Sequence, residues 1–323
     1  MRRLAGLAFA VVIIAASILA YQTSSGGYSE KNKPILFVPK AVGQKTEFWQ
    51  VMNQGVFAAA KEYGAEVKVV GTSTEDDIDG QIRLLEQAIV DKPKAIILAA
   101  TDYNRIVPVA QKIVNAGIKL ITVDSDLMGD LSASFIATDN YAAGQKVGQA
   151  LKRRIEPGAT IAVINFVKGS APAMERERGV RDSLKDSADI QVLDTYYSDA
   201  SVEKAYAVTK RLLLTHPRIG GIVGLNEPST VGAAKAIKEA GMELPLIGFD
   251  NSMDEISFLE EGILHATVIQ KPFNMGYLAI KTAVQVINGE RVSKRIDTGS
   301  EVITKKDMYT HENQKLLFPF VDK

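Results

Sequence analysis

The chain has 323 residues, room for two domains of ordinary size, and its apolar fraction of 46% suits a globular protein. Lys plus Arg and Asp plus Glu both number 38, so no basic excess marks a nucleic-acid binder. With no cysteine, and only His216, His265 and His311 scattered along the chain, disulfides, thiol catalysis and thiolate metal sites are excluded and a histidine metal centre is not expected.

After Arg2 and Arg3 comes the uncharged run LAGLAFAVVIIAASILAY, residues 4–21, and then the polar linker QTSSGGYSEKNK. The two arginines favour the cytoplasmic side and the remainder is expected to be exported. Eighteen residues can just span a bilayer, and the small-x-small sites at Ala15/Ser17 and Ile18/Ala20 are mediocre. The run therefore reads as an uncleaved anchor, with a cleaved signal peptide as the alternative. A buried core helix fits poorly, because both flanks are polar and the run has no polar face.

Residues 32–64 read NKPILFVPKAVGQKTEFWQVMNQGVFAAAKEYG. This is an apolar strand at 35–38, a polar loop carrying Lys40, and a helix that places Phe48, Val51, Met52, Val56, Ala59 and Tyr63 on one face. Further strands are expected at 67–70, 95–99, 120–123, 160–164, 191–195, 221–224, 246–249 and 266–269. Helical faces recur between them, at Ile78, Ile82, Leu85 and Ile89, and at Ile106, Val109, Ile113 and Val114. The acidic STEDDID, residues 73–79, suits a helix start better than a calcium loop, since it lacks the ligand spacing and the closing glutamate. Strand and helix in regular alternation imply parallel sheets with right-handed crossovers.

An internal repeat divides this pattern. KPKAIILAATD and HPRIGGIVGLNE share a helix end, a proline and an apolar strand that finishes on a polar residue. IKLITVDSD and LPLIGFDNS each run an apolar strand into an aspartate, Asp124 and Asp250. Two doubly wound lobes follow, with a ligand crevice beyond the carboxyl ends of the strands, where Asp124, Asn226 and Asp250 fall. Those aspartates could serve only as turn or cap residues, and Trp49 could be plain core; recurrence at equivalent strand ends favours binding for the aspartates. Competing classes lack their motifs. No G-x-G-x-x-G follows a strand, no G-x-x-x-x-G-K-[ST] or G-x-S-x-G occurs, and a membrane segment stands where a repressor would carry its helix-turn-helix. An enzyme is the remote alternative.

Six blocks, EFWQVMNQG, LITVDSDLMGDLSASFIATDN, ERERGVRDSL, HPRIGGIVGLNEPSTVGA, PLIGFDNSMDEI and LHATVIQKPFNMG, carry a family resemblance. From residue 33 to about 303 the chain resembles the type I periplasmic binding proteins of the ribose/galactose-binding group. The resemblance implies an α/β fold of two doubly wound parallel-sheet lobes joined by three crossovers, near 137–138, 270–271 and 298–300. It gives an N-lobe of 32–137 plus 271–299 and a C-lobe of 138–270 plus 300–323, after a signal or anchor segment and linker at 1–31.

The same resemblance implies ligand contacts from Lys40, Thr46, Phe48 and Trp49 at the first loop, Asp124 and Ser125 after the fourth strand, and Arg176, Asn226, Asp250 and Gln270. Such a set suits a neutral sugar: carboxylates accept from hydroxyls, Arg and amides donate, and an aromatic face covers the C–H side of the ring. The implied protein is an extracytoplasmic receptor for a pentose or hexose, without enzymatic activity, cofactor or metal. FVPKAVG and DSD are similar to the autoinducer-2-binding and rhamnose-binding branches, which keeps a non-sugar ligand as an alternative. The implied partner is the membrane permease of an ABC transporter or the extracytoplasmic domain of a sensor histidine kinase. The tail MYTHENQKLLFPFVDK is expected to pack its residues 316–320 back on a lobe.

Overall fold

In the computed structural model the described residues are 33–318, apart from 44, 45, 186 and 188. The apolar run at 4–21 lies outside them. Among the described residues no helix is long and apolar enough to cross a membrane.

The first part of the chain builds β1 (Ile35–Val38), α1 (Glu47–Glu62), β2 (Val67–Val69), α2 (Ile78–Asp91), β3 (Ala95–Leu98), α3 (Val107–Asn115), β4 (Lys119–Val123) and β5 (Phe135–Ala137). The middle builds α4 (Asn140–Lys152), β6 (Thr160–Asn165), α5 (Ala171–Leu184), β7 (Gln191–Val192), β8 (Tyr196–Tyr197), α6 (Val202–Thr215), β9 (Ile219–Gly224), α7 (Glu227–Ala240), β10 (Leu246–Phe249), α8 (Met253–Glu261) and β11 (Ala266–Ile269). The chain closes with α9 (Pro272–Ile287), β12 (Arg295–Asp297), β13 (Glu301–Ile303) and α10 (His311–Leu317).

These strands form two sheets. The first runs β12-β5-β4-β3-β1-β2, every pair parallel; the second runs β13-β11-β10-β9-β6-β7, with β8 also on β6. Only β13 is antiparallel, on β11. The burial of β1, ILFV, shows why each sheet needs helices on both faces. Ile35 and Phe37 pack with Trp49 and Met52 of α1 and Met275 of α9, whereas Leu36 and Val38 pack with Leu85 of α2 and Ile113 of α3. β6 divides likewise: Ile161 and Val163 meet Val147 of α4 and Val180 of α5, while Ala162 and Ile164 meet Leu212 of α6 and Ile237 of α7.

The chain passes from the first sheet to the second after β5, returns after β11 through α9, and passes over again between β12 and β13. The first and third of these connections are hydrogen-bonded to each other. Thr298 N donates to Ala137 O at 2.9 Å, and Asp297 Oδ1 accepts from Asp139 N at 3.0 Å and Gly299 N at 2.8 Å. The returning helix α9 is seated on α1 through two glycines. A Cβ at Gly55 would lie 2.0 Å from Phe273 O, and one at Gly276 would lie 2.2 Å from Met52 O.

Besides the two-residue β8, three strands had no expectation in the sequence: β5, β12 and β13. Each has three residues, and β12 and β13 read RID and EVI, too short and too polar for an apolar run to show. Of the strand expected at 191–195 only the first two residues pair, as β7; β8 lies just beyond it at 196–197, and the two pair with opposite ends of β6. The tail does turn back: Leu317 joins the second sheet's core, Leu316 and Phe318 pack against it, and Asn251 Nδ2 donates to Leu316 O at 3.1 Å. Residues 319 and 320 lie outside the described residues.

Candidate functional site

The strands β1, β4, β9 and β10 deliver their carboxyl ends to one place between the two sheets. Lys40, Thr46, Phe48, Trp49, Asp124, Arg176, Asn226, Asp250 and Gln270 line a common cavity there, with Glu75, Phe166, Pro172, Glu227 and Pro228. Its empty volume, counting the part open to solvent, is about 350 Å³.

Both aspartates sit one residue beyond a strand and in the left-handed backbone region, Asp124 at φ 60° and Asp250 at φ 82°. Non-glycine residues seldom occupy that region, and strain of this kind concentrates at functional sites. Asp124 Oδ2 lies 3.2 Å from Lys40 Nζ, which also donates to Ser170 Oγ at 3.1 Å on the opposite side of the cleft. Asp250 accepts from Gln270 Nε2 at 2.8 Å and from Glu227 N at 2.9 Å. Desolvation raises the Asp250 carboxyl above the usual carboxylate range, against the opposing pull of the Arg176 guanidinium.

Arg176 is buried in the first half of α5. Nε donates to Asn140 Oδ1 at 2.8 Å, Nη1 donates to Leu225 O at 2.7 Å, and the guanidinium carbon stands 3.7 Å from the centroid of the Phe249 ring. Those bonds use two of five N–H groups, so the fork is aimed while donors remain for a ligand. Burial lowers its pKa, and Asp250 and Asp124 oppose that. Asn226 caps α7, its Oδ1 accepting from Ser229 N at 3.0 Å.

The apolar wall is as ordered. Phe48 and Trp49 meet edge to face with centroids 5.0 Å apart, and Trp49 Nε1 donates to Glu75 Oε1 at 2.7 Å. Trp49 serves the site and the core at once, since it also packs with the first sheet. Burial raises the Glu75 carboxyl, with Lys40 and the indole N–H opposing. Two buried polar atoms on this lining, Thr46 Oγ1 and Gln270 Oε1, have no hydrogen-bond partner among the described residues. A native protein rarely leaves such atoms unpaired.

Ser125 stands apart from the other nine residues named from the sequence. It is buried, but its Oγ donates to Ala100 O at 2.7 Å, tying two strand ends of the first sheet together, and it is not among the cavity-lining residues. Five lining residues went unnamed in the sequence reading. Glu75 sits in the acidic run taken as a helix start; the signal that could have found it is its separation from the true cap, Asp77. Glu227 follows Asn226 directly, and Phe166 lies at the end of β6, equivalent to the other site-bearing strand ends. Pro172 and Pro228 open α5 and α7, where proline at a helix start gives no hint of a site. Among the described residues no group of His, Asp and Glu is arranged to hold a metal ion.

The family described as "Periplasmic binding protein domain" matches residues 35–291. A D-ribose/D-allose-binding protein of Pseudomonas aeruginosa is 26% identical over 320 residues, covering 94% of this chain and 99% of the relative. Among solved structures, an ABC transporter solute-binding protein from Agrobacterium vitis with bound D-fucose superposes with a TM-score of 0.85 at 33% identity, covering 88% of this chain and 99% of that one. A sugar transporter from Clostridium phytofermentans gives a TM-score of 0.79 at 39% identity, covering 84% and 99%. With the family matched across most of its length and a strand-end cavity between two parallel sheets, the chain belongs to the type I periplasmic sugar-binding proteins.

Proposed function

We propose that this chain is an extracytoplasmic receptor that encloses one monosaccharide, a pentose or hexose, between two lobes and hands it to the permease of an ABC transporter. The observation that carries this is the cavity itself: Asp124 and Asp250 as acceptors, Arg176 as a fixed donor, two unpaired polar atoms, and an aromatic wall. The ligands named for the relatives, D-ribose, D-allose and D-fucose, are neutral sugars of this size. Specificity follows from buried polar groups that a wrong epimer would leave unpaired.

The lobes are taken as 32–137 plus 271–299 and 138–270 plus 300–323, with the three connections between the sheets as the hinge. Binding shifts the open and closed populations only through contacts unique to the closed form. The apolar run at 4–21 would keep the receptor at the outer face of the membrane, which fits sensing through a histidine kinase as a second role. Fractionation with an antibody to the chain decides the tether: membrane pellet for an anchor, soluble extracytoplasmic fraction for a cleaved signal.

The binding role is tested by thermal shift of the full chain against pentoses, hexoses, deoxyhexoses, inositols and autoinducer-2. A ligand at 100 times its dissociation constant stabilises by about 2.7 kcal/mol. A shift with one sugar class supports the reading; a shift with autoinducer-2 alone, or with none of the panel, rejects it.

A further inference from the structure

The helix α1 starts without a cap of its own. Thr46 stands at its N-cap with an extended backbone, yet makes no side-chain cap bond. Most other helices are capped locally, by Asp77, Asp139, Ser201, Asn226, Ser252 and Thr310. The first N–H groups of α1 are met from the other sheet. Glu227, the first residue of α7, accepts from Glu47 N through Oε1 at 3.3 Å and from Phe48 N through Oε2 at 3.4 Å. Glu47 answers in the opposite direction, its Oε1 accepting from Met253 N at the start of α8 at 3.0 Å. Glu227 is held in place by its own N–H on Asp250 Oδ2.

We propose that Glu227 is the latch of lobe closure: it supplies across the cleft the helix cap that α1 lacks, and so sets how long the ligand is retained. The proposal rests on the hinge-closure reading above. A cap formed only in the closed state adds its whole contribution to the closed population and none to the open one. The usual contribution of an N-cap corresponds to about two- to thirtyfold in an equilibrium constant. The acceptor comes from α7 and the donors from α1, so opening the cleft separates them without unfolding either helix. Glu227 is thus a positioning residue, and its effect is expected in the release rate rather than in ligand capture.

The chain has no cysteine, so the exposed Arg83 on α2 and Arg211 on α6 can be replaced by cysteines and labelled as a distance pair across the lobes. In Glu227→Ala, the distance distribution without ligand should lose its short component, and the dissociation rate of the bound sugar should rise about two- to thirtyfold with an unchanged association rate. Glu227→Gln keeps one of the two acceptor oxygens and should restore part of both readouts; the melting temperature of each unliganded variant checks that the fold is intact. Unchanged distances and release rate in Glu227→Ala overturn the latch. A slower association with an unchanged unliganded distribution also overturns it, and makes Glu227 a ligand contact. If no sugar binds the wild-type chain, the sugar reading fails, while the unliganded distances still decide the latch.

Discussion

Arg176 is the residue whose replacement reads the site most sharply. Its guanidinium is buried, bonded to Asn140 and Leu225 and stacked on Phe249, so its geometry is set before any ligand arrives. Arg176→Ala is expected to weaken sugar binding by about 2–5 kcal/mol, since the facing carboxylates lose their counter-charge. Arg176→Lys should fall between, because an ammonium cannot stack or fork; titration calorimetry separates the three proteins. Glu227 adds a pH dependence. Burial and the Asp250 carboxylate push it up to about 8, opposed by the N–H groups of Glu47 and Phe48. Other charges around it are Glu47 on α1, Glu255 on α8 and Arg176 on α5 in the same cavity. In an open, solvated cleft the carboxyl titrates near its usual value of about 4.3. On the hinge-closure proposal, closure takes up a proton at neutral pH, and the advantage is full below the open-state value and lost as pH rises through the closed-state one. Affinity should fall about tenfold between roughly pH 7 and pH 9, and stay flat in Glu227→Gln. An affinity that rises over that range contradicts the assignment. At this scale Asp124, Asp250 and Arg176 were legible because they end strands or stand in a motif. Glu75 was not, because an acidic run looks solvated until the fold turns one of its members onto Trp49.

The elements show why most, but not all, of the fold could be read in advance. β1, β3, β4, β6, β9, β10 and β11 are apolar runs buried on both faces, and their signal survives in one sequence. β5, β12 and β13 exist because neighbouring strands offer them hydrogen bonds, a tertiary cause that three residues cannot display. Residue choice at the helix contacts is equally tertiary. Gly55 and Gly276 let α1 and α9 touch backbone to backbone, fixing the base on which Thr46, Phe48 and Trp49 are mounted. Gly276→Val should destabilise the protein by about 1–3 kcal/mol through this overlap. Urea unfolding would show it as a lower midpoint at an unchanged slope. An unaltered midpoint would mean that the two helices can part at no cost.

For the whole molecule, the two sheets and the cavity between them follow from a repeated pattern of helix and apolar strand, in which one pair of strands runs into an aspartate. The repeat was visible in IKLITVDSD and LPLIGFDNS, and the structure brings Asp124 and Asp250 into one cavity. What no single stretch could reveal is the set of bonds that span the cleft: Lys40 to Ser170, Tyr103 N to Gly169 O, and the paired caps of Glu227 and Glu47. Each joins residues far apart in sequence, and each links a residue carried by one sheet's layers to one carried by the other's. The measurement to make first is a calorimetric titration of the full chain with the monosaccharide that shifts its melting most, beside Asp250→Ala. One sugar bound per chain, with binding lost in the variant while its fold persists, is the expected outcome. Undiminished binding by folded Asp250→Ala would place the sugar elsewhere and refute the cleft as its site.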